Sequence, residues 1–154
     1  MSFSVTLQVI SNVTKIICKS GNSYTTNSSG VITVTNPSDL DECMQAGCVV
    51  LQTPADALTA TAGGGQTNAL ALSAAINRVT TVATAADSVK LPVAVPGAVI
   101  TVINAAGTNS MNVFPATGEV INALAANAAF AIAAGKTATF SCAGTKQWHS
   151  VLSS

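Results

Sequence analysis

The side chains able to do chemistry are few and widely spaced in this 154-residue sequence. The single histidine, His149, follows the single tryptophan, Trp148, near the C-terminus. Acid–base or nucleophilic catalysis would need an orienting carboxylate and a nucleophile beside this imidazole, and no sequence motif supplies them. We therefore expect His149 to be a surface or interface residue, and we predict no catalytic residue.

The four cysteines are Cys18, Cys43, Cys48 and Cys142, and no two of them have CxxC spacing. Zinc ligands usually come in pairs two to four residues apart, so we expect buried thiols and no metal site. Residues 1–10 lack a basic start and alternate apolar with polar residues, which is unlike an export signal. Synthesis in a reducing cytoplasm favours free thiols, and disulfide bonds remain the alternative.

Two further segments have some features of a ligand site. Asp39, Asp41 and Glu42 lack the alternating spacing and central glycine of an EF-hand loop, so we expect a solvated helix start. The glycines at 63–65 lack the Lys-Ser/Thr signature of a phosphate-binding loop, which indicates a flexible segment. The sequence thus predicts no metal and no cofactor.

The first fifty residues predict a small sheet with one helix. Asn36 is a suitable N-cap, Pro37 suits the first helical position, and Gly47 can end the helix. The expected buried face of this helix consists of Leu40, Cys43 and Met44. The candidate strands are 4–10, 13–18, 31–35 and 48–51, with a polar turn at 19–30.

The remaining sequence predicts a linker followed by many short strands. Segment 52–66 contains Pro54 and three consecutive glycines and shows no strand period, so we interpret it as a linker or arm. Segment 69–82 partly fits a helix, but its β-branched residues at 79–82 favour strands. Further candidate strands are 88–91, 98–104, 111–114, 129–132, 137–142 and 148–152, separated by glycine-marked turns.

Short strands at regular spacing are typical of a two-sheet β-sandwich or jelly roll. In the segment 137–142, Ala138, Phe140 and Cys142 alternate with hydroxyl side chains, which predicts one buried side. We therefore expect a mainly β protein in three parts. These are a strand-helix region at 1–51, a linker or arm at 52–66, and a β-sandwich or jelly-roll domain at 67–154.

The composition predicts a protein that associates with other subunits. Hydrophobic residues make up 49% and charged residues only 8%, with zero net charge, and the mean hydropathy is +0.50. Charged residues are usually about a quarter of a domain, and a neutral surface favours association. The six basic residues are scattered, which argues against nucleic acid or an anionic membrane as partner. Two stretches contain no charged residue. Prolines and asparagines interrupt the first, 91–118, and the second, 120–135, is short, so we expect no transmembrane span.

Segments in both halves of the chain resemble small virion proteins of tailed bacteriophages. GGGQTNALALSAAINRVTTVATAADSVKLP at 63–92 and ITVINAAGTNSMNVFPATGEVINALAANAAF at 100–130, with the closing residues 135–148, resemble a domain that recurs in these proteins. GVITVTNPSDLDECMQAGCVVL at 30–51 is similar to the strand-helix-Gly-Cys segment that begins many short phage head-associated proteins. The resemblance covers more than half of the chain.

This resemblance implies a capsid decoration, or cement, protein. Such a protein is made in the host cytoplasm, trimerises on the outer surface of the capsid and reinforces contacts between major capsid proteins. Residues 1–51 or 52–66 would anchor to the capsid, and 69–152 would form the trimer body, or the two roles would be reversed. A head-fibre, tail-fibre or tail-tip component is one alternative. A carbohydrate-binding module that uses Trp148 or Tyr24 is another, and an enzyme is not expected.

Overall fold

The computed structural model describes residues 3–9, 14–50, 52–63 and 65–154. The chain divides into two compact units, Met1–Gln52 and Thr53–Ser154. Strands make up 44% and helices 9%, which confirms the predicted mainly β class. Residues 10, 13 and 51, where predicted strands begin or end, lie outside the described residues, as does the middle glycine of 63–65. No helix in the described ranges is both long enough and apolar enough to cross a membrane.

The first unit contains a three-stranded antiparallel sheet, a hairpin and a short helix. Its strands are β1 (Val5–Val9), β2 (Lys15–Ile17), β3 (Ser23–Thr25), β4 (Val31–Val34) and β5 (Cys48–Val50). β1 lies between β4 and β5, and β2 pairs with β3. A 3-10 turn, Pro37–Asp39, leads into helix α1 (Leu40–Gln45). Its core consists of Leu7, Val9, Ile16, Cys18, Tyr24, Ile32, Val34, Cys43 and Cys48.

The predicted start of the helical segment is confirmed. Asn36 Oδ1 accepts a hydrogen bond from the backbone N–H of Ser38 at 3.1 Å, with Pro37 in the first turn. Cys43 is buried, but Met44 is 43% exposed, so the prediction that Met44 faces inward was wrong. Successive helical residues point about 100° apart, and a helix of six residues has room for only a narrow buried stripe.

The second unit consists of two facing sheets. Its strands are β6 (Ala55–Thr59), β7 (Leu70–Ala71), β8 (Ile76–Thr81), β9 (Ser88–Lys90), β10 (Val99–Asn104), β11 (Met111–Phe114), β12 (Val120–Ile121), β13 (Phe130–Ile132), β14 (Thr137–Gly144) and β15 (Gln147–Leu152). A short helix, α2 (Gly65–Asn68), follows β6. The six-stranded sheet has the order β12-β15-β14-β10-β8-β6, and the four-stranded sheet has the order β13-β11-β9-β7.

Strands β6 to β14 alternate between the two sheets, β15 pairs with β14, and the unit is a β-solenoid. β6, β8 and β10 pair in parallel in one sheet, and β7, β9 and β11 pair in parallel in the other. The predicted β-sandwich or jelly roll was therefore wrong, because both are antiparallel architectures. Antiparallel pairs occur at the end of the stack, where β13, β14 and β15 join β11, β10 and β14, respectively.

The core of the second unit lies between its two sheets. Parallel stacking places Leu70, Val89 and Val113 in one column across three strands. Trp148 and Phe140 are the largest of the fully buried side chains. The alternation predicted for 137–142 is confirmed, since the inward residues of β14 are buried between the sheets.

Segment 52–66 contains a strand and is part of the second unit. β6 pairs in parallel with β8, and Thr61 forms an isolated bridge with Ser88. β6 lies at the edge of its sheet, its register shifts twice, and Ala57 has a φ of 55°. These irregularities explain why the strand shows no alternating pattern. The two units therefore meet after Gln52, and residues 53–66, which were predicted to be a linker or arm, belong to the second unit.

Asn104 is a fully buried polar residue at the end of β10. Its Nδ2 donates to the carbonyl oxygens of Asn109 at 2.9 Å and Ile132 at 3.0 Å. Its Oδ1 accepts a hydrogen bond from the backbone N–H of Ala106 at 3.2 Å. One side chain thus satisfies three backbone groups, two in the connection between β10 and β11 and one in β13.

Replacing Asn104 by leucine is expected to lower the free energy of unfolding of the second unit by about 3 kcal/mol, because buried backbone groups lose their partners. Urea unfolding followed by the fluorescence of Trp148 measures this loss. The control is Asn112→Leu in β11, a partly exposed position whose side chain makes no hydrogen bond to the described residues. The control should change stability by less than about 1 kcal/mol. Equal losses in both variants would contradict the prediction.

Candidate functional site

Trp148 and His149 are adjacent in β15 and point to opposite sides of the six-stranded sheet. Trp148 is fully buried, and its Nε1 donates to Glu119 Oε2 at 3.3 Å. His149 is exposed and lies opposite Ser141 in the ladder. Among the described residues, no carboxylate is hydrogen-bonded to the imidazole. His149 is therefore a surface residue, in agreement with the sequence-based expectation.

The aromatic rings named for sugar binding are not available for stacking. Trp148 is fully buried, and Tyr24 lies in the core of the first unit with 8% exposure. A pyranose ring stacks on an exposed aromatic face, and neither ring offers one. The structure therefore contradicts the carbohydrate-binding alternative as far as it rests on these two residues.

Asp39 is buried, so the expectation of a solvated helix start was wrong for this residue. Its Oδ2 accepts hydrogen bonds from Asn22 Nδ2 and from the hydroxyl of Tyr24, each at 2.8 Å. The hydrogen bond from Asn22 is the main reason that the pKa of Asp39 lies below its usual value. Glu42 instead accepts from the backbone N–H of Lys19 at 2.9 Å. In the part of the chain that the structure describes, no three His, Cys, Asp or Glu residues form a metal site.

The four cysteines are buried free thiols, as predicted. Three of them, Cys18, Cys43 and Cys48, lie in the core of the first unit, and Cys142 lies in the core of the second. The Sγ atoms of Cys18 and Cys43 are 4.0 Å apart. Burial raises the pKa of Cys43 to about 12, and it also raises the pKa of Cys18 and of Cys48. These groups are therefore protonated thiols at neutral pH.

A groove of about 690 Å³ opens on the second unit beside the connection that follows β9. Lys90 and Lys146 line it together with apolar residues that include Pro92 and Val93. Glu119 also lines the groove, but its two oxygens are engaged by the backbone N–H of Ala94 at 2.9 Å and by Trp148. This carboxylate therefore helps to fix the local fold.

Apolar and hydroxyl side chains make up most of the outward side of the six-stranded sheet. Alternation along β8, β10, β14 and β15 points one set of side chains away from the core. Val151 is 76% exposed, Val99 is 52% exposed and Ile76 is 40% exposed. We call this surface the outer face. It consists of Ile76, Arg78, Thr80, Val99, Thr101, Ile103, Thr137, Thr139, Ser141, His149 and Val151.

Strand register arranges the outer face in rows. Thr101 lies between Ile76 on one side and Thr139 on the other, and Thr139 lies opposite Val151. The hydroxyl oxygens of Thr101 and Thr139 are 3.4 Å apart, so the two threonines hydrogen-bond to each other. This pairing reduces the polarity of the row, because each hydroxyl has a partner within the sheet.

Charge is nearly absent from the outer face. Its one charged side chain is that of Arg78, which lies beside Ile103 in the ladder and is paired with Asp56 Oδ1 at 2.9 Å. The hydrogen bond from Arg78 is the main cause of the lowered pKa of Asp56. A similar surface can therefore approach the outer face without strong charge repulsion.

Sequence reasoning did not identify the outer face as a site. The signal was present, since the outward positions of β10 and β14 are Val, Ile, Thr and Ser without a single charge. The neighbours within each row depend on strand order and register, which alternation alone does not give. No family model, curated protein or solved structure matches the chain.

Proposed function

We propose that this protein is a structural subunit that associates with further copies of itself through the outer face. The observation that carries the proposal is the exposure of apolar side chains on the outer face, where Val151 is 76% exposed and Val99 is 52% exposed. The exposed side of a sheet in a soluble monomer normally carries polar side chains. Apolar side chains exposed together with uncharged hydroxyls on one side of a sheet support an interaction site there.

We propose a second copy of the chain as the partner of the outer face, because the outer face carries little charge. The one charged residue of the outer face, Arg78, is already paired with Asp56. Removing apolar area from water stabilises a contact by about 25 cal/mol per Å². Two such faces therefore gain from burial without the cost of desolvating unpaired charges. The zero net charge of the whole chain also favours association.

The proposed biological setting is the outer surface of a tailed-bacteriophage capsid. The resemblance of 63–92, 100–130 and 30–51 to phage virion proteins supports this setting. In the proposal, the chain trimerises, contacts the major capsid protein and reinforces the shell after synthesis in the host cytoplasm. Residues 53–66 belong to the second unit. The segment that we propose as the capsid anchor is therefore the first unit alone.

A head-fibre, tail-fibre or tail-tip component is the second candidate. The observation that favours it is the β-solenoid, because a stack of coils extends along one axis, as a fibre does. Copy number per particle separates the two functions. A decoration protein is expected at on the order of hundreds of copies and a fibre at a few dozen or fewer, on grounds of capsid symmetry. Quantitative staining of purified particles measures this number.

The double variant Val99→Asp/Val151→Asp is expected to weaken self-association at least 100-fold, because it would bring unpaired carboxylates into the buried contact. Sedimentation velocity over a range of protein concentrations measures the shift from oligomer to monomer. The control is Val93→Asp, an exposed valine in the connection after β9 and outside the outer face. It should leave the oligomer unchanged.

Circular dichroism of each variant shows whether the β fold is retained. An oligomer that persists in the folded double variant would refute the outer face as the contact. A wild-type chain that remains monomeric at about 100 μM would refute self-association itself, since specific oligomers have dissociation constants well below this range.

A further inference from the structure

We propose that Cys18 and Cys43 are a cross-linking site, and that they form a disulfide bond when the folded chain meets a small-molecule disulfide. Their Sγ atoms are already in contact at 4.0 Å in the core of the first unit. A disulfide requires about 2.05 Å, so the two sulfur atoms must approach by about 2 Å. Rotation about the Cα–Cβ bonds moves a sulfur atom by this distance.

The two thiols differ in how an oxidant reaches them. Cys18 follows directly after β2 and borders the exposed turn at 19–22, where Gly21 and Asn22 hydrogen-bond to its backbone. Cys43 lies within α1 and is fully buried. Local opening of the turn therefore exposes Cys18 first, and Cys43 stays in place to resolve the intermediate.

The reaction balances with a small-molecule disulfide as the oxidant. The thiolate of Cys18 attacks one sulfur of that disulfide, which forms a mixed disulfide and releases one small thiol. The thiolate of Cys43 then attacks the Cys18 sulfur and displaces the second small thiol. The chain loses two protons and two electrons, and the small disulfide gains them.

Cys48 provides an internal comparison. It lies in the same buried core, at the start of β5, but within the described residues it makes no sulfur–sulfur contact of the kind that joins Cys18 and Cys43. The proposed bond is therefore specific to one of the three possible pairs in this unit. Since all three thiols belong to the first unit, the proposal does not depend on the outer face.

The expected consequence is a more stable first unit. The bond would join the β2–β3 hairpin to α1, two elements that are separated in sequence by the sheet strand β4. A unit of about fifty residues has a small core, and domains of this size commonly rely on covalent cross-links. Closing such a loop restricts the unfolded chain and raises the melting temperature.

The test uses the full chain, incubated at pH 8.5 with glutathione disulfide and, in parallel, with dithiothreitol. Oxidation is expected to lower the intact mass by about 2 Da, and non-reduced proteolysis should place one bond between Cys18 and Cys43. The melting transition of the first unit should rise by at least about 10 °C. The rate of oxidation should increase with pH, because the thiolate is the reactive form.

Variants separate the specific pair from general thiol oxidation. Cys48→Ser should retain the bond and its effect on melting, whereas Cys18→Ser and Cys43→Ser should lose both. If a serine variant does not fold, peptide mapping of the wild-type chain still decides the pairing. The proposal would be overturned by a bond that maps to Cys48. It would also be overturned if Cys18 and Cys43 can still be fully alkylated after the oxidant-treated chain is unfolded.

Discussion

Replacing Trp148 by alanine is expected to lower the free energy of unfolding of the second unit by about 4 kcal/mol. Trp148 is fully buried between the two sheets, and truncating a buried aromatic side chain leaves a cavity. The same change removes the indole N–H that hydrogen-bonds to Glu119. Urea unfolding followed by far-ultraviolet circular dichroism measures the loss, since the variant no longer contains a tryptophan.

Two control variants show how much of the lost stability comes from the indole N–H and whether the loss is specific to the buried side of β15. Trp148→Phe keeps most of the volume and removes the N–H donor, so its loss should lie between that of alanine and wild type. His149→Ala, at the next residue on the opposite side of the sheet, should change stability by about 0.5 kcal/mol or less. A loss for His149→Ala as large as that for Trp148→Ala would contradict the assignment of the two faces.

Replacing Asp39 by alanine is expected to lower the melting temperature of the first unit by about 10 °C or more. The change leaves the buried hydroxyl of Tyr24 and the amide of Asn22 without their acceptor. Hydrogen exchange of peptides from the first unit, read by mass spectrometry, measures this effect separately from the second unit. Asp41→Ala is the matched control, since Asp41 is exposed in the same helical segment.

Asp39 also predicts how the first unit responds to acid. Its pKa in the folded chain is lowered, chiefly by the hydrogen bond from Asn22, relative to the ordinary value of 3.8. A carboxyl with a lowered folded pKa stabilises the fold above its unfolded pKa, and this contribution is lost as the pH falls through the folded pKa. Stability should therefore decrease below about pH 4.

Asp39→Asn should weaken this acid dependence while lowering the stability at pH 7. Protection of first-unit peptides against hydrogen exchange, compared at pH 7 and near pH 3, tests both effects. An acid response of the Asn variant that equals the wild-type response would show that Asp39 does not contribute to it.

Local features of the fold could be predicted from the sequence, but strand pairing could not. The Asn36 cap and the buried alternation of β14 follow from residue type and period, and both are confirmed. Segment 69–82 contains the strands β7 and β8, as its β-branched residues suggested. The same alternation suits a sandwich and a solenoid equally, because each buries one side of every strand. Parallel pairing depends on residues that are far apart in the sequence. The alternation of buried and exposed residues within one strand does not indicate it.

A weak internal repeat was the signal for parallel coils. Ser88-Val-Lys-Leu-Pro and Asn112-Val-Phe-Pro both end a strand with a proline, and Val89 and Val113 are partners in the parallel ladder. Self-similarity at a fixed period is the usual mark of stacked architectures. With only two such copies, the repeat is short enough to be mistaken for ordinary strand composition.

The residue types of the outer face could be predicted from the sequence, but their arrangement in rows could not. Low charge and high hydropathy led to the prediction of association, which stays a prediction. Their assembly into rows depends on β8 meeting β10 in parallel and β14 meeting both β10 and β15. The burial of Asp39 escaped prediction for a similar reason, since its partners come from a hairpin distant in sequence.

The irregular strand β6 has a consequence for how copies of this chain can join. Its shifted register and the positive φ of Ala57 disturb the regular ladder that an incoming strand would need at this margin of the sheet. Head-to-tail polymerisation by backbone pairing is thereby disfavoured at the first coil. If copies associate through the outer face as proposed, a self-complementary contact would produce closed complexes of limited size, whereas strand addition at both ends would produce open-ended filaments.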